Sequence, residues 1–149
     1  MANPAKRKGW VFYLEVPGDP VAQARAVPRI SKRGKRWKYD PVECRNWKDY
    51  IKVLARAALK KPFAREVPLY AEIKVYLRRP ISSKRPYPSV RPDLTNYIKG
   101  IEDALNGLVY YDDGQIISMN ISKLYINDPA KAGAWIMIGE IVPDGDKQG

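Results

Sequence analysis

The stretch Leu69 to Leu77 most constrains the fold: Leu69, Ala71, Ile73, Val75 and Leu77 alternate there with Tyr70, Glu72, Lys74 and Tyr76. Alternation with period two puts one apolar face on a pleated strand, and such a strand needs a sheet beside it and a layer over that face. Two helical stripes can supply the layer. From Pro41 to Leu59, Trp47, Tyr50, Ile51, Leu54 and Ala58 recur at three- and four-residue steps, and from Leu94 to Asn106, Leu94, Ile98, Ile101 and Leu105 do the same. An earlier strand carries Trp10, Phe12, Leu14 and Val16 and ends at Pro17-Gly18-Asp19-Pro20. Gln115 to Asn127 and Ala134 to Val142, joined by a turn from Asp128 to Gly133, read as a hairpin of two strands. The expected architecture is α+β, in the order β-α-β-α-β-β, with a mixed sheet of about four strands and two helices packed on one face. At 149 residues and 45% apolar, this is a single domain over residues 1–149, with Pro143 to Gly149 expected as a disordered tail.

Charge narrows the partner. A net charge of +11 points to a polyanion. Nucleic acid ranks ahead of an anionic membrane, because no amphipathic segment is left free to insert. Residues 22–61 hold 13 of the 27 Lys/Arg and three acids, Asp40, Glu43 and Asp49. Within them, the long loop expected from Val21 to Asp40, without regular structure of its own, interleaves Arg25, Arg29, Lys32, Arg33, Lys35, Arg36 and Lys38 with Trp37 and Tyr39: cations for phosphates, aromatics for base stacking. A flexible surface hairpin is the bland alternative. A second basic loop, residues 78–92, contains Lys84 and Arg85 and no acid. With no signal peptide and no apolar run of the ~20 residues that span a bilayer, a cytoplasmic protein is expected. The lone Cys44 excludes an internal disulfide, and the absence of histidine removes both a Cys/His zinc site and an imidazole base. Any hydrolysis then falls to carboxylates, lysine or hydroxyls, and carboxylates favour Mg²⁺ or Mn²⁺.

Between Asp93 and Asp113 the balance inverts. Asp93, Glu102, Asp103, Asp112 and Asp113 face only Lys99, against 26 bases and 11 acids elsewhere, so the two parts carry −4 and +15. Carboxylates amid a polyanion-binding surface are useful if a divalent cation lies between them. Asn96, Lys99 and Asp103 fall together on the helix side away from the apolar stripe. Each residue has a plainer role: Asp93 as a helix N-cap, Lys99 with Asp103 as an i,i+4 pair, Asp112-Asp113-Gly114 as a turn. Taken together on a basic protein, the carboxylates suit metal ligands for phosphodiester hydrolysis, with Lys99 placed to neutralise the scissile phosphate or position a water. For Asp93 and Asp113 to meet, the returning strand must run antiparallel to the helix and set Asp113 beside its N-terminal half. A non-catalytic DNA- or RNA-binding module is the alternative.

The runs Arg91-Pro92-Asp93-Leu94-Thr95-Asn96-Tyr97-Ile98-Lys99, Glu102-Asp103-Ala104-Leu105-Asn106-Gly107 and Tyr111-Asp112-Asp113-Gly114-Gln115-Ile116, with Lys123, resemble the signature of the RusA family of Holliday-junction resolvases, common in prophages. The resemblance implies a homodimeric, Mg²⁺-dependent endonuclease of DNA recombination and repair that nicks four-way junctions symmetrically. By that resemblance Asp93 and Asp113 would be metal-binding and catalytic carboxylates and Lys99 the catalytic lysine. Asn96 and Lys123 are further expected DNA contacts. Thr95 stands where the best-known pattern has a second aspartate; Asp103 or Asp112 would supply the missing ligand, or the site holds one ion.

Overall fold

The structure, a computed structural model, describes residues 7–24, 27–30, 34, 36–39 and 41–142. Arg25, Lys32, Arg33, Lys35 and the tail 143–149 lie outside the described residues, and Arg29 and Arg36 are placed by backbone alone.

Six strands and two helices follow in the order β1 (Arg7–Pro17), β2 (Val27–Ile30), β3 (Arg36–Tyr39), α1 (Val42–Ala58), β4 (Leu69–Arg78), α2 (Leu94–Leu105), β5 (Ile116–Ile126) and β6 (Gly133–Ile141). The main sheet is mixed, with strand order β1-β6-β4-β5; only β4 and β5 run parallel. Alternation in the sequence becomes rows across this sheet. Leu14 lies opposite Ile136, Ile136 opposite Ile73, and Ile73 opposite Ile121. Phe12, Ile138 and Ala71 form the row below, so one face is a continuous apolar floor. Both helices join the core on it, α1 through Trp47, Ile51 and Ala55, α2 through Tyr97, Ile98, Ile101, Ala104 and Leu105.

Three expectations change. The basic stretch Val21 to Asp40 is not devoid of regular structure, since β2 and β3 pair in it from Val27↔Tyr39 to Ile30↔Arg36. The α1 stripe is rotated: Cys44, Trp47, Ile51 and Ala55 are buried, whereas Tyr50 and Ala58 are exposed. Gln115 to Asn127 and Ala134 to Val142 do not form a hairpin. β4 separates the two strands, β6 inserting between β1 and β4 while β5 stays at the edge. The cause is composition: Ala134-Trp135-Ile136-Met137-Ile138 is apolar without interruption and is buried save for Trp135, as a central strand requires, whereas β5 has a run of exposed residues at 117–120. Among the described residues no helix is long and apolar enough to cross a membrane.

Candidate active site

Helix α2 organises the site. Its buried side includes Gly100, which faces the Trp47 ring of α1; a Cβ there would meet that ring at 3.4 Å, in ordinary contact. The opposite side faces solvent along its length with Asn96, Lys99 and Asp103. Gly107 ends the helix at φ +78, a left-handed C′ position that glycine adopts without steric cost.

Asp93 holds the N-cap position, but its carboxylate makes no capping hydrogen bond; the Asn96 N–H donates to the Asp93 carbonyl instead, at 3.1 Å. The plain capping role therefore leaves this carboxylate unspent. It borders a cavity of about 310 Å³ shared with Gln23, Arg91 and Asn96. The wall opposite α2 is pinned in place: the Gln23 N–H donates to the Asn96 carbonyl at 2.9 Å, and the Cys44 thiol reaches the Ala22 carbonyl at 3.4 Å. This positions the chain leading to Arg25 across the N-terminal half of α2.

Lys123 supports the same end. It continues the row Val16, Ala134, Val75 on the core-facing side of the edge strand β5, where an inward charge also discourages pairing with another chain. Its ammonium donates to the carbonyls of Val90 at 2.7 Å and Pro92 at 2.8 Å. Two of its three donors thus clamp the basic loop immediately before Asp93.

The second acidic group is built by the segment after α2. Asp112 accepts from the Gly114 N–H at 2.9 Å, and the Gln115 side chain accepts from the N–H groups of Tyr111 and Asp112, closing a capping box around a 3₁₀ turn at Asp113–Gln115. A Cβ on Gly114 would stand 2.6 Å from the Asp112 carboxylate, so a side chain there would displace that carboxylate from its turn. Gln115 also donates to the carbonyls of Ala64 and Val67, tying the turn to the connection before β4. Asp112 therefore fills its turn role, while the Asp113 carboxylate beside it makes no hydrogen bond or ion pair among the described residues; only the Asp113 backbone carbonyl is engaged, by the Ile116 N–H.

The charges locate this turn. Burial raises the Glu102 carboxyl above its ordinary range, and the charges of Asp113 and Asp103 raise it further. Burial also raises the Tyr110 phenol, with Glu102, Asp113, Asp103 and Asp112 adding to it. Asp113 therefore shares its electrostatic surroundings with Glu102 and Asp103, whereas Asp93 precedes the first turn of α2. Nine residues of helix separate Asp93 from Glu102, roughly 14 Å along the axis. Among the described residues no group of three or more carboxylates or thiols stands ready to hold a metal ion. The donor type nevertheless fits a hard cation, and Mg²⁺ is commonly held by one or two carboxylates with substrate phosphate and water completing its shell. Glu102, counted in the sequence among the five acids but given no individual role there, is picked out by the charges of Asp113 and Asp103 acting on it; its signal was adjacency to Asp103.

Lys99 lies between the two acidic groups, without an ion pair to Asp103 or any other described residue. Lys84 and Arg85 are exposed on the loop before Asp93. The sequence matches the family described as Endodeoxyribonuclease RusA over residues 17–137, a span containing all of these groups. It is also 36% identical over 126 residues to a Bacillus subtilis (strain 168) protein named "Uncharacterized protein YqaN", covering 76% of this chain and 87% of that protein.

Proposed function

This chain belongs to the RusA family of endodeoxyribonucleases, and on that premise we propose that it is a divalent-metal-dependent endonuclease that nicks four-way DNA junctions symmetrically as a homodimer. The observation that carries the reading is the exposed side of α2. Asp93, Asn96, Lys99 and Asp103 lie along it with side chains in no hydrogen bond or ion pair to any described residue. Unspent polar groups on a rigid, core-anchored helix suit a substrate better than a structural task.

Asp93 and Asp113 are the carboxylates that would hold Mg²⁺ or Mn²⁺, with Glu102 and Asp103 beside Asp113 and one oxygen of Asp112 left over from its turn. When bound, the ion activates a water and stabilises the leaving oxygen. Lys99 opposes the charge that builds on the scissile phosphate. Asn96 orients the phosphate at the Asp93 end, and Lys123 acts one step back by holding the Val90 and Pro92 carbonyls. Arg25, Arg29, Lys32, Arg33, Lys35 and Arg36, with Lys84 and Arg85, grip the flanking strands. DNA as substrate implies the cytoplasm.

Separation of the two acidic ends supports the dimer. Carboxylates that share one ion approach to within a few ångströms of it, and the carboxylates acting on Glu102 are Asp113 and Asp103, with Asp93 nine residues away along the helix. A two-fold arrangement can set the Asp93 end of one protomer against the partner's Asp113, and it matches the symmetry of a four-way junction.

The test is nicking of a synthetic four-way junction in Mg²⁺, abolished in Asp93→Asn and Asp113→Asn while junction binding persists. If the wild type cuts neither junctions, flaps nor duplex in Mg²⁺ or Mn²⁺, a non-catalytic nucleic-acid-binding module becomes the better account.

A further inference from the structure

Beside the Asp93 end, and separate from the acidic groups, lies an open cavity of about 590 Å³ between the ends of β4 and β5 and the basic loop, with Arg79, Ile81, Val90, Arg91, Tyr97 and Tyr125 among its walls. Its volume falls within the range of small-molecule sites. Its walls combine apolar and aromatic side chains with arginines, and its one acid, Asp19, is paired with Arg78, a mixture that suits a nucleotide's base and phosphate.

Charge at the cavity is sorted between two arginines. Arg78 is neutralised by Asp19, whose two oxygens accept from Nε at 2.8 Å and from Nη2. Arg79 has no such partner among the described residues. Its guanidinium lies 5.2 Å from the centre of the Tyr125 ring, Nη2 makes one long bond of 3.4 Å to the Pro86 carbonyl, and its buried Nε has no hydrogen-bond partner among the described residues. A buried donor left unpaired is costly, and a phosphate oxygen is the acceptor that best satisfies a guanidinium. Arg91 is exposed and two residues from Asp93.

The loop is ordered by its own bonds, Ser83 N–H to the Pro80 carbonyl at 3.0 Å and Arg85 N–H to the Ser83 hydroxyl at 3.2 Å. It nevertheless leaves Ile81 wholly exposed, at 105% of its reference area, with Tyr87 at 65%. An exposed apolar tip in a loop with Arg79, Lys84 and Arg85, and with no acid from residue 78 to 92, fits the edge of a base stack.

We propose that this cavity receives one unstacked nucleotide of the DNA, its base against Tyr125 and Ile81 and its phosphate on Arg79 and Arg91. The proposal rests on the endonuclease reading. A branch point, where stacking is already interrupted, is where extruding a nucleotide costs least.

To test it, 2-aminopurine is placed at successive positions beside the branch of a four-way junction, with Ca²⁺ replacing Mg²⁺ to prevent cutting. Wild-type protein raises its fluorescence at one position, and Ile81→Ser and Tyr125→Ala abolish that rise while weakening junction affinity by about tenfold, the scale of one lost base stack. Ile81 is exposed and outside the core, so its variant folds. Junction binding without a rise at any position, or a rise that both variants preserve, overturns the cavity's role and leaves the nuclease reading intact. Failure of the wild type to bind the junction overturns both.

Discussion

The two ends of α2 present carboxylates in opposite electrostatic settings. Asp93 sits at the helix N-terminus, where the peptide dipoles favour an anion, with Arg91 nearby and Lys123 clamping the preceding loop. Glu102, Asp103 and Asp113 gather at the other end, where the dipoles oppose negative charge and the neighbours are one another and the buried Tyr110. One end is at ease with its charge; the other is crowded and would gain from a cation. A divalent ion should therefore bind first at the Asp113 end, while the Asp93 end contributes when DNA is present.

Removing either carboxylate tests that asymmetry most forcefully. Asp113→Asn and Asp93→Asn should each slow junction nicking by on the order of 10²–10³-fold, the scale for losing one group that stabilises transition-state charge. Only Asp113→Asn should also weaken Mn²⁺ binding without DNA, followed by titration calorimetry. Equal loss of metal affinity in both would make the ends equivalent and end the comparison.

Mixing the two dead variants is the next largest effect. If each site takes Asp93 from one protomer and Asp113 from its partner, an Asp93→Asn/Asp113→Asn heterodimer keeps one intact site and ruins the other. Random assortment of equal amounts then restores about a quarter of the wild-type sites. A site drawn from a single chain predicts no recovery at any ratio.

Lys123→Met probes what holds the Asp93 end. It keeps the side-chain stem and removes two charge-assisted bonds to carbonyls. In this partly exposed place they stabilise by about 1 kcal/mol, or a Tm about 3 °C lower. Nicking should fall while metal binding at the Asp113 end holds. A variant with unchanged melting and unchanged nicking would show that the loop needs no clamp.

The same contrast marks what could be read from the chain. Both helices, β1 and β4 follow from apolar periodicity, because each buries one side and shows the other to water. The place of β6 was obscured by proximity in sequence: a short turn suggested a hairpin, whereas the unbroken apolar run Ala134 to Ile138 belonged in the sheet's centre. At the site, helical spacing identified the exposed group Asn96, Lys99 and Asp103. It could not tell which end of α2 the returning strand would reach, since that is set by the register Leu69↔Ile116 between β4 and β5, a long-range choice with no local signal.

Glu102→Gln is the smallest change and tests the crowding directly, by thermal melting in EDTA across pH. The Glu102 carboxyl is raised in the folded protein, first by burial and then by Asp113 and Asp103. The folded state therefore binds more protons than the unfolded one between the ordinary carboxylate value and the raised one, so wild-type stability falls as pH rises through that window. The amide carries no charge and lacks this slope. Glu102→Gln should melt above the wild type at pH 7, and the advantage should vanish below about pH 4, where both states are protonated. Adding Mg²⁺ should narrow the gap at pH 7, because a cation among these carboxylates relieves in the wild type what the substitution removes. Parallel melting curves across pH, with or without Mg²⁺, would mean that the three carboxylates do not feel one another, and the Asp113 end would lose its claim to the first ion.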